Sequence, residues 1–126
     1  MSRRFDHVDL RVRNLAEVRP FYEVLLPAIG FTQEASIPGW LTYEAEGSDG
    51  AAKFFGVTES PSHVANECRI AIWVESIADV DRLATLIRQA GAANIEGPLF
   101  EDTGYYAVFF EDLSGNRLEI CYRENR

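Results

Sequence analysis

The chain has 126 residues, the size of one compact domain, and 47% of them are hydrophobic, enough for a core without disulfides or a structural metal. Its 20 acidic and 12 basic residues give a formal net charge of −8, which argues against nucleic acid as a partner and favours a neutral or cationic ligand. The N-terminal residues are charged, and no apolar stretch is long enough for a signal peptide or a membrane span. We therefore expect a cytoplasmic protein with no membrane partner.

The first half of the sequence predicts a strand, a helix and three further strands. Residues 5–12 alternate apolar with polar side chains, the period of a half-buried strand whose polar face carries His7, Asp9 and Arg11. Asn14 is a suitable cap for a helix whose apolar residues recur at helical spacing until Pro27 and Gly30. Three strands are predicted after it, at residues 31–35, 40–45 and 51–57.

The second half repeats this order after a polar segment, residues 58–66, which we interpret as a linker. Ser76 is the predicted cap of a helix that ends near Gly91. Strands are predicted before the helix and after it, at residues 68–74, 95–100, 105–111 and 117–122. Cys68 and Cys121 lie in apolar strand-like runs without C-x-x-C spacing, so we expect buried, reduced thiols rather than a zinc or redox motif.

The two halves match when one is shifted along the other by 62 positions, which superposes both helix caps and both apolar helix stripes. This internal repeat predicts an α+β fold of tandem βαβββ modules, with residues 5–57 in the first and 67–123 in the second. One domain, residues 1–126, is expected to contain both. Each module alone is too small to bury its sheet face, so we expect a curved mixed sheet around a cleft, within one chain or across a swapped dimer.

Three segments resemble the vicinal oxygen chelate superfamily, which includes glyoxalase I, extradiol dioxygenases, fosfomycin-resistance enzymes and bleomycin-binding proteins. They are residues 7–12, the Phe21-Tyr22 pair, and residues 104–120 with the pattern D-x-x-G-N-x-x-E-I from Asp112 to Ile120. The resemblance spans essentially the whole chain. It implies a small-molecule ligand and a homodimer, and either lyase, isomerase or dioxygenase chemistry or binding alone.

The resemblance also implies a metal site, because family members that hold a metal place ligands in the first and the last strand of each half. His7 and Glu119 match two of these places, whereas Arg69 and Phe55 fall at the other two. In the first interpretation His7, a catalytic Glu119 and an unidentified third ligand hold one divalent ion, Zn, Ni, Mn or Fe. His63, in the predicted linker, is a candidate for that ligand.

In the second interpretation there is no metal. Arginine cannot bind a cation usefully, so Arg69 replaces the charge of the ion and pairs with Glu119 inside the cleft, while His7 is an ordinary hydrogen-bonding residue of the pocket.

Aromatic and basic side chains complete the predicted pocket. Trp73 shares a strand face with Arg69, and the alternation from Glu111 places Tyr105 rather than Tyr106 towards the cleft. The predicted substrate-binding residues are Arg69, Trp73, Tyr105, Phe55 and Arg11, although Arg11 and Asp9 fit an exposed ion pair equally well.

Two functions therefore remain open on the sequence alone. One is a metal-dependent enzyme acting on a small oxygenated substrate, which the retained His7 and Glu119 favour. The other is a metal-free module that binds or sequesters a small molecule, which Arg69 and Phe55 at expected ligand positions favour.

Overall fold

The structure, a computed structural model, describes residues 5–45 and 53–124. The chain divides into two compact units, Met1–His63 and Val64–Arg126, and the boundary falls inside the segment predicted as a linker. Each unit contains one helix and one four-stranded sheet. No helix in the described ranges is long and apolar enough to cross a membrane.

The first unit has the predicted order of elements, and its sheet is mixed. Strand β1 runs parallel to β4, whereas β3 pairs antiparallel with both β4 and β2, giving the order β1-β4-β3-β2. The Asn14 side chain accepts a hydrogen bond from the backbone N–H of Glu17 at 3.2 Å, so it caps the helix as predicted. The elements are β1 (His7–Val12), α1 (Leu15–Ala28), β2 (Phe31–Glu34), β3 (Trp40–Ala45) and β4 (Lys53–Glu59).

Strand β4 differs from its prediction at both ends. It continues to Glu59, so the first two residues of the predicted linker belong to a strand, where Glu59 also accepts a hydrogen bond from the Leu15 backbone at 2.9 Å. Residues 51–52, the predicted beginning of this strand, lie outside the described residues.

The second unit has the same topology, with the order β5-β8-β7-β6 and β5 parallel to β8. Ser76 caps its helix by accepting a hydrogen bond from the Asp79 backbone at 3.1 Å. The elements are β5 (Arg69–Trp73), α2 (Ile77–Gln89), β6 (Ala93–Asp102), β7 (Tyr105–Glu111) and β8 (Arg117–Arg123). The two halves thus confirm the predicted α+β fold of tandem βαβββ modules.

Each sheet packs one face against its own helix, and we call the opposite face the open face. In the first unit the ring of Phe55 lies 6.3 Å from that of Tyr22 in α1, which marks the helix-covered face. In the second unit the Tyr106 hydroxyl donates to Asp81 of α2 at 2.6 Å. Because side chains alternate along a strand, His7, Tyr105 and Glu119 belong to the open faces.

The apolar cores lie between each helix and its sheet. Full burial of one valine, leucine or isoleucine side chain contributes about 1.5–3 kcal/mol to the free energy of unfolding. The helix-covered faces therefore provide most of the stability of each unit. Cys121 is buried as predicted, whereas Cys68 is exposed because it precedes the first residue of β5. Core side chains include Val12, Val18, Leu25 and Val57 in the first unit, and Val80, Leu83, Ile87, Leu118 and Ile120 in the second.

A compact turn between β7 and β8 sets the register of the open face. The buried Asp112 carboxylate accepts three hydrogen bonds, from the Ser114 backbone at 2.8 Å, the Asn116 backbone at 3.0 Å and the Asn116 side-chain amide at 3.0 Å. Gly115 has a φ of 86°, a conformation that side chains rarely adopt. This geometry explains the D-x-x-G-N part of the motif in physical terms.

Replacing Asp112 with alanine should lower the free energy of unfolding by about 3 kcal/mol, because it leaves buried backbone N–H groups without an acceptor. Urea denaturation followed by circular dichroism measures the change. The matched control is Asp102→Ala, since exposed Asp102 accepts a single backbone hydrogen bond, from Thr103 at 2.7 Å. Equal losses in the two variants would show that the Asp112 network does not stabilise the turn.

Candidate functional site

A buried carboxylate lies on the open face of the second unit. Glu119, in β8, has only 5% of its surface exposed, and the hydroxyl of Tyr105 in β7 donates a short hydrogen bond to its Oε2 atom. A buried carboxylate is costly unless it is hydrogen-bonded, so the Tyr105 hydroxyl offsets part of that cost. Tyr105 therefore reaches the face of Glu119, as the alternation predicted, while Tyr106 points to α2.

The surroundings of Tyr105 keep its hydroxyl protonated. Burial, followed by the hydrogen bond to Glu119 and the charge of that carboxylate, raises the pKa of Tyr105 from 10.0 to about 12. The Arg123 guanidinium lies over the phenol ring, 3.6 Å from its centroid, and acts in the opposite direction on the pKa. At neutral pH the phenol is thus a hydrogen-bond donor to Glu119.

Arg69 does not pair with Glu119, which corrects the second interpretation of the sequence. Its guanidinium instead lies over the ring of Phe109, 4.8 Å from the centroid. The reason is the strand register, since Glu119 has Ala71 as its partner in β5, whereas Arg69 is paired with Arg117.

A cavity of about 320 Å³ opens beside this register pair, entirely within the second unit. Phe109, the register partner of Glu119, forms part of its wall and links the cavity to the buried carboxylate. On one side the Asn94 amide donates to Glu111 at 2.9 Å. The lining residues are Arg69, Asn94, Glu96, Phe109, Phe110, Glu111 and Arg117.

The other predicted metal ligand, His7, lies at the edge of the sheet in the first unit. Its side chain is exposed, its Nδ1 atom lies 2.9 Å from Asp6, and its ring stacks on Phe54 at 4.4 Å with an interplanar angle of 6°. His7 and Glu119 belong to different units, and their convergence on one ion stays a prediction. The same holds for His63, which is half-buried in the first unit.

Phe55 is not on the open face, which corrects its assignment as a substrate-binding residue at a ligand position. It is 2% exposed and packs its ring 6.0 Å from Phe31 and 6.3 Å from Tyr22 in the core. The alternation of β4 explains the error, because Phe55 is paired with Val8, while Phe54 is paired with His7 and shares its face.

Strand register identifies the true counterpart of Glu119 in the first unit as Gly56. Gly56 is paired with Asp9, just as Glu119 is paired with Ala71, the residue that the repeat superposes on Asp9. A Cβ atom at Gly56 would lie 2.6 Å from Nε1 of Trp40, so an indole ring covers the place where a carboxylate would project. The first unit offers no carboxylate at this position.

The two remaining substrate-binding candidates have different surroundings. Arg11 lies 2.5 Å from Asp9, whose carboxylate also accepts from Thr58 at 3.1 Å, so Arg11 forms the exposed ion pair that was the alternative prediction. Trp73, on the open face of the second unit, is 50% exposed and offers a ligand an apolar surface.

The residues present do not fit a metal held by the four family positions. Within residues 5–45 and 53–124, no group of three or more His, Cys, Asp or Glu side chains is placed to hold an ion. Gly56 has no side chain to ligate, and Arg69 is a fixed cation that repels a metal ion. Of the two family positions in the second unit, Arg69 and Glu119, only Glu119 has a suitable donor atom.

Several site residues were missed by sequence reasoning, for two reasons. Phe54 and Arg117 follow from strand alternation once the register of β1 with β4 and of β5 with β8 is known. Asn94 and Glu96 lie in β6, whose pairing with β7 shifts register between Ala93 and Glu96 and again before Leu99. A bulged strand breaks the alternation, so no sequence pattern indicated their direction.

Tyrosine titration tests the Tyr105–Glu119 hydrogen bond. The difference in absorbance at high pH between the parent protein and Tyr105→Phe should be centred near pH 12, where the pKa of Tyr105 lies. Glu119→Gln should lower this pKa, because it removes both the charge and the carboxylate acceptor, but not to 10.0, since burial remains the largest cause.

The pH dependence of stability has a definite sign. Folded Tyr105 holds its proton more tightly than the unfolded residue, so its contribution is complete below pH 10 and is lost as the pH rises towards about 12. Tyr105→Phe should therefore flatten the stability curve in this window, with Tyr122→Phe, on the neighbouring strand β8, as the matched control. A difference titration centred at pH 10 would contradict the hydrogen bond.

Comparison with solved structures shows the same fold in several proteins. A glyoxalase/bleomycin resistance protein from Albidiferax ferrireducens T118 has a TM-score of 0.76 at 22% identity, covering 94% of this chain and 98% of that one. The fosfomycin resistance protein FosX from Mesorhizobium loti has a TM-score of 0.69 at 16% identity, covering 99% and 96%. A glyoxalase/dioxygenase from Nostoc punctiforme has a TM-score of 0.68 at 19% identity, covering 98% and 92%.

Among curated proteins, none matches this sequence. The sequence model of the Glyoxalase/Bleomycin resistance protein/Dioxygenase superfamily, however, matches residues 4–120, nearly the whole chain. The match includes both repeats and the motif that ends at Ile120. The protein therefore belongs to the glyoxalase/bleomycin resistance protein/dioxygenase superfamily.

Proposed function

We propose that this chain is a small-molecule-binding member of its superfamily whose pocket, on the open face of the second unit, works without a bound metal. The observation that carries the proposal is the hydrogen bond from the Tyr105 hydroxyl to Glu119. A carboxylate that a tyrosine holds in place is already compensated and needs no cation to stabilise it. Binding of an organic ligand is then the function for which this face is equipped.

The donor set supports the same conclusion. Divalent transition metals in proteins require several nitrogen, oxygen or sulfur ligands around one point, and tight binding needs at least three from the protein. The strand register places Gly56 and Arg69 at two of the four positions where family members hold a metal ligand. A site of His7 and Glu119 alone would bind an ion weakly, even if the two side chains converge.

The open face of the second unit combines apolar surface with a few polar groups, as small-molecule pockets do. The rings of Phe109 and Trp73 provide the apolar surface. A cavity of about 320 Å³, which Phe109 lines, lies on the same face, and Phe109 is the register partner of Glu119. We infer that a ligand there also receives a hydrogen-bond acceptor from Glu119. Glu119 is then a ligand-binding carboxylate rather than a catalytic one.

The names of relatives and the net charge of this chain extend the proposal. Relatives with the same fold are described as glyoxalases, dioxygenases and a fosfomycin resistance protein, which supports a small organic molecule as the ligand. We also infer a cytoplasmic homodimer that interacts with neither nucleic acid nor a membrane. The net charge of −8 supports the exclusion of nucleic acid.

Metal analysis tests the proposal directly. Protein purified without a histidine tag and incubated separately with Zn²⁺, Ni²⁺, Mn²⁺ and Fe²⁺ should retain well below one equivalent of each after desalting. Elemental analysis measures the retained metal. The physical reason is that a site with at most two protein ligands exchanges its ion with buffer and water.

The control variants are His7→Ala and Glu119→Ala, which should match the parent protein in metal content. Stoichiometric metal in the parent that both substitutions abolish would overturn the proposal. It would instead support the metal-dependent lyase, isomerase or dioxygenase as the function of the chain.

A further inference from the structure

The cavity in the second unit is lined by two arginines and two glutamates. Arg69 and Arg117 are register partners on the neighbouring strands β5 and β8, so both guanidinium groups rise from one end of the cavity. Glu111, on β7, is the register partner of Arg117 and lies beside it. Glu96, on β6, is the register partner of Phe109 and lies one strand further from the two arginines. Adjacent strands are about 4.8 Å apart, so β6 and β8 are about 10 Å apart.

None of these four charged groups forms an ion pair among the described residues. Glu111 accepts a hydrogen bond from Asn94 at 2.9 Å. Among the described residues, Arg69, Arg117 and Glu96 have neither an ion pair nor a side-chain hydrogen bond. Outside the cavity, by contrast, Arg82 forms an ion pair with Asp79 at 3.4 Å. Arg117 has the Glu111 carboxylate as its cross-strand neighbour, whereas the register partners of Arg69 and Glu96 carry no opposite charge. Arg69 and Glu96 are therefore the charges that a ligand would complete.

Phe109 provides the apolar surface between the two ends. Its ring holds the Arg69 guanidinium at 4.8 Å by a cation–π contact, which fixes the arginine and leaves its N–H edges available. Two arginines on adjacent strands can share one carboxylate through several charge-assisted hydrogen bonds. The register of β6 pairs Glu96 with Phe109, so Glu96 lies on the strand beyond Phe109 as counted from Arg117 in β8.

We propose that this cavity binds a zwitterionic small molecule, with its carboxylate between Arg69 and Arg117, its ammonium group at Glu96 and its apolar part on Phe109. The inference rests on the proposed metal-free binding function and names the ligand class of the same open face. An anion without an amino group leaves Glu96 unpaired and close to a second negative charge. A cation without a carboxylate leaves the two arginines facing each other.

Calorimetric titration with three probes of equal chain length tests the ligand class. The probes are 6-aminohexanoate, hexanoate and hexylamine, added to metal-free protein at pH 7 and low ionic strength. We expect 6-aminohexanoate to bind at least tenfold more tightly than either probe with a single charge, because it alone satisfies both ends. Hexanoate or hexylamine binding as tightly as 6-aminohexanoate would overturn the zwitterion assignment.

Charge-neutral substitutions locate each contact. Arg117→Gln should weaken binding of 6-aminohexanoate and of hexanoate by about tenfold and leave hexylamine unchanged, since hydrogen bonds to charged groups have this magnitude. Glu96→Gln should weaken 6-aminohexanoate and hexylamine and leave hexanoate unchanged. The matched controls are Arg82→Gln, on α2, and Glu101→Gln, near the end of β6, neither of which lines the cavity.

Failure of this inference can be distinguished from failure of the proposed function. If none of the three probes binds but the protein also takes up no metal, the zwitterion assignment is overturned and the metal-free pocket stands. If the protein instead holds stoichiometric metal through His7 and Glu119, the proposed function is overturned as well. If 6-aminohexanoate binds but Arg117→Gln and Glu96→Gln match their controls, the probe occupies another site and the assignment is wrong.

Discussion

The hydrogen bond between Tyr105 and Glu119 determines what the open face of the second unit can do. It satisfies a carboxylate that is 5% exposed without using a cation, and it does so from a tyrosine whose pKa is raised to about 12. The donor is therefore present across the physiological pH range. A carboxylate held in this way is fixed in position.

The two repeats have kept the fold and diverged at the equivalent site. In the second unit the register position holds Glu119, whereas in the first it holds Gly56 beneath the indole of Trp40. The change replaces a hydrogen-bond acceptor by an apolar ring, with no effect on the core on the other face of the sheet. Because open-face residues contribute little to that core, one repeat can lose a polar site without losing its fold.

Sequence patterns predicted the elements well and the site only in part. Alternation and capping located both helices, and the direction of Tyr105 followed from strand phase alone. The errors arose where a prediction depended on the pairing between strands. Phe55 was assigned to the wrong face because the 62-position shift that superposes Asp9 on Ala71 does not hold in β4 and β8, where Gly56 corresponds to Glu119. The partner of Glu119 was taken to be Arg69 because the phase along one strand does not fix the register between two strands.

The net charge of the chain and the charges that line the cavity favour different ligands. A charge of −8 favours neutral or cationic ligands at long range, where salt screens each contribution over about 10 Å. A carboxylate bound between Arg69 and Arg117 would meet them at hydrogen-bond distance, where salt screening is weak and the geometry of the contact determines its strength. An acidic protein can therefore hold a carboxylate, provided that the ligand also carries a positive group for Glu96. The zwitterion is the one ligand class that agrees with both the overall charge and the local arrangement.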